Sequence, residues 1–246
     1  MKADHFEQQK LLDLAAEDVA LTQLAHRGRT LPEVAAVEAA EEAERTFSAD
    51  VIRAETEVRD LGREVKRMES DVETVRQREA KDQRLLESGS VSPKEMTNLQ
   101  HELASLKRRQ SDLEDQELEL MERLEVAEGG LATAQQGLAK AREDRERAEQ
   151  QRDDALADIA DQTTRHTAAR NEVAAGLSAP LLTLYDRIRT QTGTTGAALL
   201  KARSCQGCRI EFYGSQLAAV RNADPHEVVR CENCGRILVR TAESGL

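Results

Sequence analysis

The sequence predicts a mainly α-helical protein, in which a long antiparallel coiled-coil hairpin is followed by a small domain built on cysteines. Only 2% of the 246 residues are aromatic, whereas 33% are charged, a composition typical of long helices rather than of a large globular core. Apolar residues recur at heptad spacing through most of the first 180 residues. All four cysteines lie after residue 200, in two closely spaced pairs.

The composition also bears on where the protein acts. The sequence has no run of about 18 apolar residues, so it predicts no transmembrane helix. Its first ten residues lack the apolar segment of a secretory signal peptide. We therefore expect a cytoplasmic protein, in a reducing compartment where cysteines rarely form structural disulfides.

Charge divides the chain near residue 180. The net charge of the whole chain is -11, of which residues 1–180 contribute -14 and residues 181–246 contribute +3. The amino-acid pattern changes at the same point, from helical periodicity to a mixture of apolar and polar residues. We therefore expect a coiled-coil domain over residues 1–180 and a second domain over residues 181–246.

The first domain is predicted to contain three helices and a hairpin tip, over about residues 4–27, 32–86, 93–175 and 87–92, respectively. Gly28 and Pro32 separate the first two helices, because proline disfavours helix in the residue before it. Ser92, Pro93 and Glu95 predict the start of the third helix. Serine and glutamate three residues apart form a capping box, and proline suits the first helical turn.

Heptad spacing gives each long helix a continuous seam, which predicts a left-handed supercoil. The seam of the second helix comprises Val37, Ala40, Glu44, Phe47, Val51, Ala54, Val58, Leu61, Val65, Met68, Val72 and Val75. The seam of the third comprises Met96, Leu99, Leu103, Leu106, Gln110, Leu113, Glu117, Leu120, Leu124, Ala127, Leu131, Ala134, Leu138 and Ala141.

The short tip favours antiparallel pairing of these two helices within one chain. In the matching register Ala54 lies near Ala127, and Leu61 lies near Leu120. The third helix then extends beyond residue 150, and the first helix has the right length to cover that extension. An intermolecular coiled coil is the alternative arrangement.

The cysteines form two C-x2-C pairs separated by 22 residues, at Cys205, Cys208, Cys231 and Cys234. Two such turns can close a tetrahedral site of four thiolates around one structural Zn²⁺. The sequence therefore predicts a small C4-type zinc ribbon, with a redox-active cysteine pair or an iron–sulfur centre as the alternatives. We interpret His226 as an ordinary strand residue. Short strands are predicted over residues 209–213, 226–230 and 237–240, with a helical turn over 215–221.

Basic residues suggest two candidate surfaces for nucleic acid. In the expected register a basic collar forms near the hairpin tip, from Arg76, Arg78, Lys107, Arg108 and Arg109. The C-terminal domain adds Lys201, Arg203, Arg209, Arg236 and Arg240. Residues 111–161 carry a net charge of -10 and would repel phosphate, so we expect contact at the two ends only. Routine solvated charges are the alternative explanation.

Several segments of the sequence also carry a family resemblance. They are LYDRIR at residues 184–189, GAA at 196–198, CQGC at 205–208, CENCGRIL at 231–238, and the hairpin segments at 113–115 and 119–122. On these segments the chain resembles a bacterial family of C4-type zinc-ribbon, coiled-coil proteins, long labelled a domain of unknown function. The resemblance implies a non-enzymatic protein, since members are linked to RNA binding, to flagellar gene regulation through a sigma factor and to control of translation.

Two functions follow as expectations. The first is a zinc-dependent nucleic-acid-binding regulator that binds RNA or the ribosome and influences translation or gene expression. The alternative is a protein–protein adaptor or spacer whose coiled-coil arm engages the transcription machinery. A protein partner in transcription or translation is therefore possible. We expect no enzymatic activity, because the sequence offers no nucleophile–base set, phosphate-binding loop or open metal site. Neither a membrane nor a small-molecule substrate is expected as a partner.

Overall fold

The computed structural model describes all 246 residues and contains five α-helices and three short β-strands. The helices are α1 (His5–Arg29), α2 (Pro32–Glu87), α3 (Pro93–Ala175), α4 (Ala179–Thr192) and α5 (Gly214–Asn222). The strands are β1 (Ala197–Lys201), β2 (Ser204–Cys205) and β3 (Ile237–Val239). No helix is both long enough and apolar enough to cross a membrane.

Packing groups the residues differently from the sequence-based division at residue 180. One compact unit comprises residues 35–150, and the other combines residues 1–34 with residues 151–246. Composition located the change at residue 180 because the cysteines and strands follow it. It could not show that α1 and the end of α3 bury their apolar faces together with the C-terminal elements.

The start of α3 is the capping box expected from the sequence. The backbone N–H of Ser92 donates to Glu95 Oε2 at 2.8 Å, and the N–H of Glu95 donates to Ser92 Oγ at 3.4 Å. The hydrogen bonds from the side chain and backbone of Ser92 lower the pKa of Glu95. At the start of α1, the side chain of Asp4 accepts a hydrogen bond from the backbone N–H of Phe6 at 2.8 Å and so caps the helix.

The unit of residues 35–150 is an antiparallel hairpin of α2 and α3 from the same chain. Its buried apolar side chains all belong to the predicted seams, and they are Val37, Leu61, Val65, Val72, Leu103, Leu113 and Ala141. Ion pairs join the two helices on either side of the seam. Arg76 lies 2.7 Å from Glu114, and Glu44 lies 3.1 Å from Arg142 and 2.8 Å from Arg145.

Three glycines interrupt the middle of α3, and packing explains only one of them. A Cβ atom at Gly137 would lie 2.6 Å from the ring of Phe47 in α2, so glycine makes room for this ring. A Cβ atom at Gly129 or Gly130 would meet nothing within 4 Å. Each glycine costs about 1 kcal/mol of helix stability relative to alanine, so packing within the hairpin does not account for this pair.

In the other unit, α1 packs on the last part of α3, as expected for the extension beyond residue 150. Leu24, Leu31 and Ile159 form one small cluster there. A larger core joins α1, α4 and the sheet, and it comprises Leu11, Leu14, Leu177, Leu181, Tyr185, Ile188, Ala197, Ile237 and Val239. The strand order is β2-β1-β3, with β1 antiparallel to β2 and parallel to β3.

Helix α4 was not predicted from the sequence, although its ends carry ordinary helix signals. Pro180 lies in its first turn, and Gly193 ends it with a φ of 72°, a conformation that glycine adopts without steric cost. Its buried residues Leu181, Tyr185 and Ile188 are spaced by four and three positions. Gly196 follows, where a Cβ atom would lie 2.2 Å from the carbonyl oxygen of Tyr185.

A fully buried carboxylate holds three helices of this unit together. Asp18 of α1 accepts a hydrogen bond from Arg170 Nε of α3 at 2.7 Å and lies 2.9 Å from Arg189 Nε of α4. Its second oxygen accepts the hydroxyl of Tyr185 at 2.7 Å. Burial, and then the hydrogen bond to Asp18, raise the pKa of Tyr185, so this hydroxyl remains a donor. Arg170 also donates to Asp186 at 2.7 Å.

We expect Asp18→Ala to destabilise the unit by about 3–5 kcal/mol, because it leaves two guanidinium groups without their buried counter-charge. Urea unfolding followed by circular dichroism measures this loss. Asp13→Ala is the matched control, since Asp13 lies on the exposed face of the same helix and should change stability by less than about 0.5 kcal/mol. Equal effects of the two substitutions would contradict the role assigned to Asp18.

Candidate metal centre and charged surfaces

The four cysteines converge on one point, as the spacing predicted. Their sulfur atoms all lie within 4.8 Å of one another. The Sγ atoms of Cys205 and Cys234 are 3.8 Å apart, and those of Cys208 and Cys231 are 3.7 Å apart. A tetrahedral zinc ion with Zn–S bonds of about 2.3 Å separates its sulfur ligands by about 3.8 Å. The donor set and its spacing therefore fit one Zn²⁺ with no open coordination position.

Each C-x2-C pair lies on a tight backbone turn. The N–H of Arg209 donates to the carbonyl of Cys205 at 2.6 Å, and the N–H of Gly235 donates to the carbonyl of Cys231 at 2.8 Å. Gly235 has a φ of 74° and Arg209 a φ of 61°. The left-handed conformation costs glycine nothing, but it strains the arginine. Both turns thus end in the same conformation despite their different sequences.

Burial and backbone hydrogen bonds shift the pKa values of Cys205 and Cys234 in opposite directions. Burial raises the pKa of Cys205 to about 12, against the N–H groups of Cys208 and Gly207, which lower it. In Cys234, burial also raises the pKa, but hydrogen bonds from the backbone and side chain of Arg236 outweigh it and lower the pKa to about 7. Bound Zn²⁺ holds its thiol ligands deprotonated, and the N–H groups help to stabilise the resulting charge.

A small apolar cluster packs behind the sulfurs. Cys205 and Cys231 are buried in it, whereas Cys208 and Cys234 are only partly buried. The other buried members of the cluster are Ala198, Leu200, Phe212, Val220 and Leu238. So few residues form a marginal core, which is why a domain of this size depends on its metal.

The strands of the ribbon differ from the expected ones. The expected strand at 237–240 is present as β3, and the helical turn at 215–221 is part of α5. Residues 209–213 and 226–230 form only isolated bridges, at Glu211, Glu227 and Arg230. The positive φ of Arg209 ends any extended conformation at the first turn. His226 lies in a turn and is exposed, so its assignment to a strand was wrong.

The chain's N-terminal segment completes this region, which the sequence did not reveal. The N–H of Ala3 donates to the carbonyl of His226 at 2.8 Å, and the N–H of Val228 donates to the carbonyl of Met1 at 3.0 Å. The side chain of Gln8 donates to the carbonyls of Ala3 and Pro225. These hydrogen bonds join residues more than 200 positions apart. Only the position of the polar Gln8 on the apolar face of α1 could have indicated them from the sequence.

Arg240 was proposed as a nucleic-acid contact, but its guanidinium donors are used inside the ribbon. The guanidinium group faces a single turn. It donates hydrogen bonds of 2.6–3.4 Å to the carbonyl oxygens of Val220, Ala223, Asp224, Pro225 and Glu227. This turn leads directly into the segment that carries Cys231. Arg240 therefore has a structural function that leaves little of its hydrogen-bonding capacity for a ligand.

The other candidate cations of the ribbon differ in whether their side chains already have partners within the chain. Arg236 donates to the hydroxyls of Thr194 and Thr195 at 2.6 and 3.2 Å. Lys201 pairs with Glu243 at 2.9 Å, and Arg203 donates to the carbonyl of Gly245 at 3.2 Å, so both contact the C-terminal segment. Arg209 is exposed and makes no side-chain hydrogen bond or ion pair. Among the five, Arg209 alone has a free guanidinium group.

The collar near the hairpin tip is also partly neutralised. Besides the pair of Arg76 with Glu114, Arg78 pairs with Glu102, and Lys107 lies 4.0 Å from Glu79. Arg108 and Arg109 are exposed and have no partner within the chain. The sequence placed these five residues at one end of the arm but could not show which of them are paired.

Two family models match the chain on the regions just described. The CT398-like coiled coil hairpin domain matches residues 14–193, and the C4-type zinc ribbon domain matches residues 204–238. The chain belongs to the CT398-like coiled-coil hairpin family. This result confirms the resemblance and the mainly α-helical hairpin-plus-ribbon architecture. Together with the sulfur geometry, it establishes one structural zinc as the cofactor of the ribbon.

The chain is similar to several bacterial proteins over most of its length. An uncharacterized protein of Mycobacterium tuberculosis strain H37Rv is 38% identical over 98% of both chains, and one of Mycobacterium leprae is 29% identical over 89% of this chain and 94% of its own. A solved structure from Mycobacterium smegmatis is 32% identical, with a TM-score of 0.80 over 98% of this chain and 100% of that one. CT398 from Chlamydia trachomatis, 18% identical, shares the fold with a TM-score of 0.60 over 95% and 97% of the two chains.

Removing zinc should unfold the ribbon and leave the long helices largely intact, because only the ribbon depends on the metal for its core. We expect the protein to release one zinc ion per chain to a strong chelator. Limited proteolysis should then cut within residues 196–246, while the helical circular dichroism falls only slightly. Adding Zn²⁺ back should restore protection. A metal-free protein with a protease-resistant ribbon would contradict this expectation.

Arg240→Gln should destabilise the ribbon by about 1.5–3 kcal/mol or more, since hydrogen bonds to charged groups contribute about that amount each. The measurable result is faster transfer of zinc to a chromophoric chelator and a lower urea midpoint. Arg209→Gln removes the same charge from a side chain without partners and should release zinc at nearly the wild-type rate. Identical rates for the two variants would show that the hydrogen bonds of Arg240 do not stabilise the site.

Proposed function

We propose that the protein is a non-enzymatic, zinc-dependent regulator that binds RNA or the ribosome in the cytoplasm and influences translation or gene expression. The observation that carries this proposal is a set of unpaired cations toward the hairpin tip. They are Lys81, Arg84, Lys94, Arg108 and Arg109, all exposed and without an ion-pair partner. We call this set the tip cations.

Three acidic groups in the same segment are already engaged. Glu79 and Glu102 pair with Lys107 and Arg78, and Glu95 caps the start of α3. Residues 59–110 carry a net charge of +2, whereas residues 111–161 carry -10. A phosphate backbone is therefore attracted to the tip and repelled along the acidic shaft. Lysine and arginine on exposed helices can follow a phosphate backbone without reading its sequence.

The ribbon supports this function mainly by its structure. Arg236 and Arg240 are engaged within the fold, while Lys201 and Arg203 make exposed contacts that a phosphate could replace at little cost. Arg209 remains free. We therefore place the principal contact at the tip cations, with Arg209 and its neighbours Lys201 and Arg203 as a secondary contact. A zinc ion with four thiolate ligands offers no position for a reactive water, in accord with a non-enzymatic function.

Charge reversal at the tip tests the proposal. Arg108→Glu with Arg109→Glu should weaken binding to a labelled single-stranded RNA by at least tenfold at 100 mM salt. The slope of log affinity against log salt should become shallower by about 0.7 for each lost phosphate contact. Lys66→Glu with Arg67→Glu is the matched control, because these exposed mid-arm cations also lack partners. The control should change the affinity by less than threefold.

Equal losses in the two double variants would indicate a general effect of net charge and would contradict a site at the tip. Co-sedimentation with ribosomes, with and without RNase, gives the second readout. A partner that remains bound after RNase treatment, and that the tip variant still binds, would favour the alternative function of a protein–protein adaptor.

A further inference from the structure

Midway along the hairpin, α2 and α3 leave an open groove of about 560 Å³. Its floor is made by Ala54 and Leu61 of α2 and by Ala127 and Gly130 of α3, with Val126 beside them. Three glutamates and one arginine line its rim, namely Glu57, Glu119, Glu122 and Arg123. We call this feature the mid-arm groove.

We propose that the mid-arm groove is a docking site for an amphipathic helix of a partner protein, with an apolar face flanked by lysine or arginine. The site is separate from the tip cations and does not depend on the proposed binding of RNA.

Two residues of the groove are not explained by packing within the hairpin. Val126 is 77% exposed, the largest exposure among the large apolar side chains of the chain. Gly130 leaves open space where a side chain would project, although glycine weakens a helix interior. A glycine in this position allows another backbone to approach closely, and the neighbouring valine gives that backbone an apolar surface to cover. Both features are compatible with a groove that a partner occupies.

Charge decides what kind of helix fits. Residues 111–128 contain eight acidic side chains and a single basic one. Glu114 is held by Arg76 and Gln110, but the three glutamates of the groove rim have no hydrogen bond or ion pair. Their carboxylates are therefore available to a cation from outside. An apolar face flanked by basic residues matches the floor and the rim together.

The same charges disfavour the two other occupants. A second copy of this arm, lying in the same register along the groove, would bring its own acidic segment against Glu119 and Glu122, and like charges at an interface oppose association. A nucleic acid would present phosphates to the same carboxylates. A basic partner gains from the three glutamates, which outnumber Arg123 on the rim.

The test uses a fluorescein-labelled 18-residue helical peptide with leucine along one face and lysine on both sides of it. Fluorescence anisotropy should detect binding to the full-length zinc-loaded protein. Glu119→Lys with Glu122→Lys should weaken binding at least tenfold. Glu125→Lys with Glu128→Lys changes the net charge equally on the same helix but outside the groove, and it should weaken binding less than threefold.

Two glycine substitutions separate binding from stability. Gly130→Leu should raise the thermal midpoint, because leucine favours helix, and should weaken peptide binding at least tenfold by filling the groove. Gly129→Leu should raise the midpoint similarly and leave binding unchanged, since Gly129 does not line the groove. If Gly130 has only a structural function, Gly130→Leu and Gly129→Leu will have the same effect on peptide binding.

The proposal is overturned if the peptide does not bind, if a version with glutamate in place of lysine binds as tightly, or if both lysine double variants lose binding equally. A mass of twice 27.3 kDa by light scattering, reduced to one chain by Gly130→Leu, would overturn it in favour of a second copy as the occupant. RNA that competes with the peptide for wild-type protein, and whose own binding Gly130→Leu weakens at least tenfold, would overturn it in favour of nucleic acid.

Discussion

The buried carboxylate of Asp18 constrains how the helices of the ribbon-bearing unit can pack. A charge removed from water must be matched by opposite charge and by hydrogen bonds, and Asp18 receives these from Arg170 of α3 and from Tyr185 and Arg189 of α4. The three donors meet at one carboxylate only when α1, the end of α3 and α4 adopt a single arrangement. The same α4 then packs on the sheet through Tyr185 and Ile188. The position of the ribbon strands β1 and β3 thus follows from a polar contact made by the first helix.

Zinc imposes a second constraint, and it accounts for the use of arginine in the ribbon. With only a small apolar cluster behind the sulfurs, the turn before Cys231 needs other support, and Arg240 supplies it through the carbonyls of that turn. Arg236 similarly links the second cysteine turn to Thr194 and Thr195. A count of basic residues would assign both to a nucleic-acid surface. Their hydrogen bonds show that a positive residue in a small metal domain can serve the fold first.

Periodicity and spacing predicted those features that depend on local repeats. The heptad pattern located the seam residues that are buried, such as Leu61 and Leu113, and the C-x2-C spacing located the zinc ligands. Features that need contacts between distant residues were missed. The pairing of Met1–Ala3 with residues 226–228 depends on contacts that no local pattern encodes, whereas α4 was missed although its ends and its apolar spacing carry helix signals. Asp18 did fall on the apolar face of α1, four residues after Leu14, but its partners lie more than 150 positions away.

The arm therefore presents two surfaces of opposite character, and the interactions within the hairpin separate them. Toward the tip, Glu79 and Glu102 are consumed by Lys107 and Arg78, which leaves cations such as Arg108 in excess. In the middle, Arg53 and Arg63 pair with aspartates of their own helix, and the glutamates of the groove rim have no ion pair, although Lys66 and Arg67 are also unpaired nearby. Each local ion pair neutralises one charge of each sign, so the charges left exposed in each part of the surface are those in excess. Because exposed pairs contribute little to stability, their larger effect here is to decide which charges remain available to a partner: cations at the end of the arm and carboxylates along its side.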